Sequence, residues 1–348
     1  MMYIDMHCDT LMGFADTKSG FSLRRNNKSI DFERMKKGDA LAQFFAIFLP
    51  PEPKIDGEPV SDDAYIDLLY LALMNSLEQN KDNIAIALNA ADIEKNRCDG
   101  KMSAVLTMED GRAISGKLDN IDKFYRMGFR AISLTWNGAN CLGHPNSSTP
   151  SLMQLGLTDF GKTAVERMNE LGILVDVSHL SEGGFWDVVK ISKKPFIASH
   201  SNALALSPHQ RNLNDDQLRA LGNAGGVTGL NFAGAFLNYD TSDSNSTAKR
   251  LAEHARHIVD VAGIESCALG SDWDGIGGTL EIGSCDKIHL FYDALHSVGF
   301  SDSEVELISY KNALRVIREV LYLSFKRSLA LTVPTAANTR PQPFKTLF

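Results

Sequence analysis

The chain has 348 residues, and its 44% hydrophobic content is enough for a sizeable core in one large domain or two ordinary ones. The formal net charge is −8, from 43 acidic and 35 basic residues, and no Lys/Arg cluster stands out. This balance argues against nucleic-acid binding, and the absence of any run of about 18 apolar residues argues against a membrane span.

Short apolar runs alternate with longer amphipathic stretches from one end of the chain to the other. Eight of these runs are predicted strands, and most of them are apolar on both faces, which is typical of parallel strands that are buried on both sides. The predicted strands span residues 3–9, 40–49, 103–109, 131–136, 173–178, 195–199, 226–232 and 267–272.

Helical spacing of apolar residues predicts helices between these strands. Thr158 is typical of an N-cap and Gly172 of a helix end, and Ser301 with Glu304 has the spacing of a capping box. The predicted helices span residues 62–79, 158–171, 215–221, 247–262 and 301–323.

Eight strands, each followed by a helical or loop segment, predict a (β/α)8 TIM-type barrel in a single domain over residues 1–325. A doubly wound open sheet is the alternative. The barrel is favoured because the reactive side chains fall at strand ends. Residues 52–63 and 139–155 are predicted to be loops, and the Thr-, Pro- and Asn-rich residues 326–348 a tail that is disordered or docked on a neighbour.

Candidate metal ligands begin at the end of the first strand, with His7 and Asp9. Side chains at i and i+2 of a strand point to the same side, so this pair could bind one ion. The third strand is apolar up to Glu109, and a buried carboxylate needs a positive partner. A metal ion would be such a partner, and an ion pair with Arg130 is the alternative.

The fifth and sixth strands end in His179 and His200, on the rim predicted for His7, Asp9 and Glu109. A single histidine there is more often a hydrogen-bonded core residue. Convergence from four strands instead predicts a metal site built from these five side chains. The remaining histidines in rim loops, His144 and His209, are not expected to function, and those in helices are expected to pack or lie on the surface: His254, His257, His289 and His296.

Two further residues are candidates for chemistry and binding. Asp272 ends the last predicted strand and could be a ligand or a general base, with Asp274 as a rival that could instead cap a loop. Arg211 lies in the loop after the sixth strand. Its planar guanidinium could bind a substrate carboxylate, or it could form a structural ion pair.

Taken together, the motifs resemble the renal (membrane) dipeptidase family, zinc peptidases of the amidohydrolase superfamily. Most barrels of that superfamily open with His-x-His, whereas His-x-Asp with a bridging Glu is this family's variant. The motifs are Asp5-Met-His7-Cys-Asp9, Met108-Glu109-Asp110-Gly111, Asp176-Val-Ser178-His179, Ser199-His200-Ser201, Arg211-Asn212 and Gly270-Ser-Asp272-Trp-Asp274-Gly275.

The resemblance implies two divalent ions, most commonly zinc, with His7 and Asp9 on one ion, His179 and His200 on the other, and Glu109 as the bridge. It implies that Asp272 is the acid/base group and that Arg211 binds the C-terminal carboxylate of a dipeptide. The implied reaction is dipeptide hydrolysis by a hydroxide between the ions, including dipeptides with a C-terminal D-residue, and the implied assembly is a homodimer.

One departure from the family concerns the substrate. Animal members have a histidine after Leu-Thr at the end of the fourth strand, where this chain has Trp136 followed by Asn137. A tryptophan donates one neutral hydrogen bond and offers an apolar wall. We therefore predict that both residues contact the substrate and alter its range. The seventh strand also lacks the family's Tyr, since Asn231-Phe232 is followed by Ala233.

Two other functions stay open at this point. One is a different amidohydrolase reaction, such as deamination, lactone hydrolysis or cyclic-amide opening, and Arg211 argues against it. The other is a non-catalytic metal-binding protein, and Asp272 argues against that. Five irregularly spaced cysteines without a CxxC pair, and no recognisable secretory signal, predict a cytoplasmic protein that is not attached to a membrane.

Overall fold

The computed structural model describes residues 1–321, and their strands form a closed barrel. Its eight strands are all parallel and pair in chain order, and β8 pairs with β1 through Leu269 and Asp5. They are β1 (Tyr3–Asp5), β2 (Ala40–Phe48), β3 (Met102–Glu109), β4 (Phe129–Ser133), β5 (Leu174–Asp176), β6 (Ile197–Ala198), β7 (Val227–Leu230) and β8 (Cys267–Leu269). Closure confirms the predicted (β/α)8 barrel, and the open-sheet alternative is wrong.

Each of the predicted strands overlaps one barrel strand, but several barrel strands are shorter. Strands β5 and β6 are short because the side chain of Asp176 takes the place of backbone pairing. Ser178 N and Ser199 N both donate to Asp176 Oδ1, at 2.9 Å. An additional strand, Ile84–Ile86, pairs in parallel with the start of β3 and was not predicted.

The helices surround the barrel, and each of the five predicted helices overlaps at least one of them. Thr158 Oγ1 accepts from Gly161 N, and Ser301 and Glu304 form the predicted capping box. The predicted last helix is interrupted by a π-helical turn, Leu307–Lys311. The described α-helices are Phe32–Lys37, Asp62–Gln79, Ala90–Cys98, Leu118–Met127, Pro150–Met153, Asp159–Leu171, Glu182–Ile191, Asp215–Asn223, Gly234–Leu237, Ala248–Ala262, His289–Ser297, Asp302–Glu306 and Asn312–Val320.

The last helix, Asn312–Val320, covers the amino-terminal end of the barrel. Asn312 Nδ2 donates to the carbonyl of Cys267 at the start of β8, at 2.8 Å, and Arg315 Nη1 donates to the carbonyl of Gly225 just before β7, at 2.7 Å. Val316 of this helix packs in one apolar cluster with Ile4 of β1. The apolar end of the barrel is therefore closed, and polar side chains gather at the opposite end.

The two predicted loops both follow carboxyl ends of strands. Residues 52–63 contain a short antiparallel hairpin, Lys54–Ile55 with Glu58–Pro59, before the helix that begins at Asp62. Residues 139–155 contain the short helix Pro150–Met153, and Asn146 N donates to the carbonyl of His179 at 2.7 Å. The single domain over residues 1–325 stays a prediction, and the predicted tail, residues 326–348, lies outside the described residues.

Candidate metal and substrate site

Six side chains converge at the carboxyl ends of five barrel strands. All are at most 8% exposed, so they meet in an environment almost free of bulk water. We call them the polar cluster: His7 and Asp9 after β1, Glu109 at the end of β3, His179 after β5, His200 after β6, and Asp272 after β8.

Glu109 lies at the centre of the polar cluster, and its two oxygens face different partners. Oε2 is 3.5 Å from His7 Nε2, whereas Oε1 is 2.9 Å from His179 Nε2 and 3.5 Å from His200 Nε2. His7 Nε2 is also 3.4 Å from Asp9 Oδ2 and 3.8 Å from Asp272 Oδ1. The carboxylate of Glu109 thus separates the His7–Asp9 pair from the two other imidazoles.

The alternative partner for Glu109 is wrong. Arg130 donates instead to the backbone carbonyls of Leu88, Tyr125 and Phe129, at 2.9–3.0 Å, and its guanidinium lies over the ring of Tyr125. Among the described side chains, the positive partners within reach of Glu109 are therefore imidazoles only.

Several atoms of the polar cluster are placed as metal ligands would be. His7 Nε2 and Asp9 Oδ1 are buried without a well-aligned hydrogen bond in residues 1–321, an arrangement that costs about 1–3 kcal/mol for each unpaired atom. His179 Nε2 and His200 Nε2 lie 3.1 Å apart. Two nitrogen lone pairs repel each other at this distance unless one nitrogen is protonated or both bind a cation.

The donor atoms also form two compact groups. Ligand atoms of His7, Glu109 and His200 all lie within 4.8 Å of one another, and so do those of His7, Asp9 and Asp272. Imidazole nitrogens and carboxylate oxygens are common ligands of zinc and related divalent ions. The residues present therefore fit a metal centre.

A glycine leaves space beside the carboxylates. A Cβ at Gly275 would lie 2.0 Å from Asp9 Oδ2 and 2.8 Å from Asp272 Oδ1, closer than real Cβ contacts allow. Any larger residue at this position would displace both acidic side chains. Gly275 belongs to one of the motifs in the sequence, but no role was predicted for it.

Burial and neighbouring charges shift the ionisation of the polar cluster. Burial opposes the His7 cation, but the charges of Asp9 and Glu109 outweigh it and raise the pKa of His7. Burial, together with the Arg211 cation, lowers the pKa of His179 to about 4. Burial and the charge of His7 also lower the pKa of His200, so these two imidazoles are neutral, the form that binds metals.

Hydrogen bonds behind the polar cluster fix the orientation of His200. Its Nδ1 is 2.7 Å from Ser199 Oγ, which in turn donates to Asp176 Oδ2 at 2.5 Å. Asp176 Oδ2 also accepts from Ser133 Oγ at 2.8 Å. Because the Ser199 hydroxyl donates to Asp176, it accepts from His200 Nδ1, which leaves the Nε2 lone pair facing Glu109.

His179 and Asp272 both have left-handed backbone conformations, with φ of 69° and 63°. Such values are uncommon outside glycine and often mark functional positions. His179 Nδ1 is 3.1 Å from Asn137 Oδ1, and Asn231 Nδ2 donates to Asp272 Oδ2 at 2.7 Å. Asn231, which follows β7 directly, was not among the predicted site residues.

The pKa of Asp272 rises to about 6, because burial disfavours its anion more than His7 stabilises it. Its rival Asp274 is occupied elsewhere: Oδ2 accepts from Thr10 Oγ1 at 2.5 Å and Oδ1 accepts from Ser29 N at 2.7 Å. Asp274 therefore caps a loop, which was the predicted alternative to a catalytic role.

Arg211 is buried beside a cavity of about 440 Å³ that opens next to His179. Its Nη1 donates to Ser201 Oγ at 3.4 Å and its Nη2 to the carbonyl of His200 at 3.3 Å, while Nε has no partner. Within the described residues it forms no ion pair, so the structural ion pair is wrong. The cavity is lined by Asn137, Asn146, Ser147, Ser148, His179, His209, Gln210, Arg211 and Phe236.

The residues at the end of β4 lie at the edge of the site. Trp136 is half-buried, packs against Phe48 with ring centroids 4.9 Å apart, and lies 6.1 Å from the ring of His179. Asn137 is exposed and lines the cavity. His209 lines it too, whereas His144 hydrogen-bonds Gly156 outside it.

Comparison with known proteins assigns the family. A model described as membrane dipeptidase (peptidase family M19) matches residues 1–329. The chain belongs to peptidase family M19. This confirms the resemblance predicted from the motifs and makes the chain a metallo-dipeptidase. None of its described helices is both long enough and apolar enough for a membrane crossing.

Relatives across the family agree with this assignment. An uncharacterised protein in the pqqA 5′ region of Klebsiella pneumoniae is 35% identical over 73% of this chain and 97% of the relative. The dipeptidase aclJ of Aspergillus oryzae is 30% identical over 90% of this chain and 74% of the relative.

Two solved structures of M19-type metallopeptidases are similar over nearly the whole described chain. The dipeptidase AC, a metallopeptidase of family M19, is 26% identical with a TM-score of 0.84, over 92% of this chain and 99% of that one. A metallopeptidase from Rhodobacter sphaeroides, solved with a phosphinate mimic of the dipeptide L-Ala-D-Ala, is 26% identical with a TM-score of 0.82 and the same coverage.

Proposed function

We propose that this M19 dipeptidase hydrolyses free dipeptides, including those with a D-residue at the C-terminal side, with two zinc ions bound by the polar cluster. The observation that carries the proposal is a buried guanidinium, Arg211, which forms no ion pair within residues 1–321 and lies in the same cavity wall as His179 of the polar cluster. The Rhodobacter relative, solved with an L-Ala-D-Ala mimic, supports the substrate class. A homodimer is part of the proposal and rests on the resemblance, and a cytoplasmic location is part of it and rests on the cysteine pattern and the lack of a recognisable secretory signal.

The distances support the ligand sets that the resemblance implies. His7 and Asp9 would bind one ion and His179 and His200 the other, with one Glu109 oxygen towards each pair. Divalent ions bound there would polarise the scissile carbonyl and make a nearby water molecule more acidic. The chain's other residues then have to move a proton and hold the substrate.

Asp272 is the proposed acid/base group. Its Oδ2 is held by Asn231, and its Oδ1 points towards His7, so one oxygen is fixed while the other faces the polar cluster. A carboxylate at this place can take a proton from the attacking water and deliver it to the leaving amine nitrogen. The raised pKa of Asp272, about 6, makes its protonated form accessible near neutral pH.

Arg211, Asn137 and Trp136 are proposed to contact the substrate. The guanidinium of Arg211 would bind the C-terminal carboxylate and fix the distance between that group and the scissile bond. Asn137, hydrogen-bonded to His179, would provide a polar contact at the cavity edge. The Trp136–Phe48 pair would form an apolar wall for the dipeptide.

The test is an activity screen of metal-reconstituted protein over L-L, L-D and D-D dipeptides, each as the free acid and as the C-terminal amide. We expect hydrolysis of free dipeptides, weaker hydrolysis of the amides, and no activity after chelation. The matched control panel contains cyclic dipeptides, lactones and aminopurines. Turnover in that panel alone would support the other amidohydrolase reactions, and full metal content without any turnover would support a metal-binding protein.

A further inference from the structure

His209 lies two residues before Arg211, on the loop that follows β6, and lines the same cavity. The polar cluster does not include it. The family resemblance placed a histidine at position 136, where this chain has tryptophan, so an imidazole elsewhere in the cavity is of particular interest. The role that His209 can have depends on which of its ring nitrogens carries a proton.

A backbone contact fixes the tautomer of His209. Arg211 N donates to His209 Nδ1 at 3.2 Å, and because a backbone N–H can only donate, Nδ1 carries the lone pair. A neutral ring then carries its proton on Nε2. Burial and the neighbouring Arg211 cation lower the pKa of His209, which favours that neutral form. No residue among 1–321 accepts a hydrogen bond from Nε2.

The ring of Phe236 lies next to both His209 and Arg211. The His209 ring lies 4.6 Å from the Phe236 ring, centroid to centroid, and Arg211 Cζ lies 5.5 Å from the same centroid. Their relative position is therefore set by packing and not only by the loop backbone. The described lining of this cavity contains amides, hydroxyls, imidazoles and one guanidinium but no carboxylate, so it suits an anion.

We propose that His209 is a substrate-binding residue whose Nε2–H donates to the C-terminal carboxylate of the dipeptide alongside Arg211. This inference rests on the proposed dipeptidase function. A carboxylate has two oxygens and about four lone-pair sites, so it can accept from both side chains at once. The loop after β6 thereby supplies an imidazole donor, which the chain lacks at position 136.

The test compares His209→Phe, which keeps a ring against Phe236 but has no donor, with His209→Gln, which offers an amide N–H near the position of Nε2. For His209→Phe we expect KM for free dipeptides to rise roughly 10- to 100-fold, as for other hydrogen bonds to charged groups, with a smaller change in kcat. His209→Gln should recover part of the loss. The matched control is His144→Phe, a histidine outside the cavity, for which KM should stay at the wild-type value.

The C-terminal amides separate binding from general damage. If His209 acts on the carboxylate, His209→Phe should change KM for an amide far less than KM for the matching free dipeptide. An equal change for both, or an unchanged KM for the free dipeptide, would overturn the inference and leave the proposed function intact. Failure of the wild-type protein to hydrolyse any dipeptide would instead overturn the proposed function, and this inference with it.

Discussion

The polar cluster and the Arg211 cavity are neighbours, but they are built differently. The side chains of the polar cluster follow strand ends and are almost fully buried, whereas the cavity is lined mainly by loop residues, among them the exposed Asn137 and the half-buried His209. Positions fixed by barrel strands vary less than positions on loops. The polar cluster should therefore determine whether the reaction occurs, and the cavity which substrates enter it.

The two regions also differ in charge. Three carboxylates meet three imidazoles in the polar cluster, which favours cations, while the described cavity lining has a guanidinium and no carboxylate, which favours anions. His179 joins them, since its Nε2 faces Glu109 and its Nδ1 contacts Asn137. A dipeptide would fit these two neighbouring regions, with its scissile bond at the polar cluster and its carboxylate in the cavity.

The largest expected effect belongs to the polar cluster. Asp272→Asn keeps the size of the side chain but cannot take up and release a proton, so kcat should fall about 100- to 10,000-fold, the range of general acid/base catalysis. The measurement is kcat at matched metal content, determined by elemental analysis. The control Asp274→Asn alters only the loop cap and should keep most of the turnover. Turnover of Asp272→Asn close to wild type would remove Asp272 from this role.

In the cavity, Arg211→Met should raise KM for free dipeptides roughly 10- to 100-fold, since it removes charge-assisted hydrogen bonds to the carboxylate. Because Arg211 is a buried cation that has no ion pair in the described part of the chain, the variant should unfold at the same denaturant concentration as wild type or a higher one. A structural ion pair predicts the opposite, a loss of about 3–5 kcal/mol in unfolding free energy. Urea unfolding together with steady-state kinetics distinguishes the two.

The hydrogen bonds behind the polar cluster can be tested by measuring metal affinity. Ser199→Ala removes the hydroxyl between Asp176 and His200 Nδ1, and loss of such an orienting partner typically weakens metal binding about 10- to 100-fold. Competition with a chromophoric chelator measures this directly. Ser133→Ala is the matched control, because Ser133 donates to the same Asp176 oxygen but contacts no imidazole. Equal affinities for the two variants would show that Ser199 does not orient His200.

The barrel was predictable because its strands are buried on both faces and therefore form continuous apolar runs. The helix Asp62–Gln79 matches its predicted bounds, since apolar spacing and the Ser61 cap agree. Strands β5 and β6 are shorter than predicted because Asp176 binds two backbone N–H groups that the strands would otherwise pair. The strand Ile84–Ile86 was missed.

The polar cluster was predictable from one rule, that the carboxyl ends of barrel strands meet on one rim. Asn231 and Gly275 were missed because their roles depend on contacts with Asp272 and Asp9, which spacing in the sequence does not show. The position of His209 beside Arg211 was not predictable for the same reason. Its place in the cavity is set by the Phe236 ring and by the fold of one loop, and neither has a periodic signal.

The smallest expected effect lies outside both regions and tests whether they are separable from the scaffold. Thr158 caps its helix by accepting from Gly161 N, and it donates to the carbonyl of Cys141 at 2.6 Å. Thr158→Ala should lower the free energy of unfolding by about 1 kcal/mol, as loss of an N-cap usually does. The control Thr163→Ala, at an exposed position of the same helix, should cost less.

Catalysis should not change in Thr158→Ala, although the loop before Thr158 lines the cavity. The backbone bond from Thr158 N to the carbonyl of Leu142, at 3.0 Å, remains in the variant, and so does the bond from Asn146 N to His179. These contacts hold the loop against the barrel without the hydroxyl. A KM shift beyond a few-fold would show that the cavity depends on this cap, and the division between a cluster fixed by strands and a cavity fixed by its own loops would then have to include the surrounding helices.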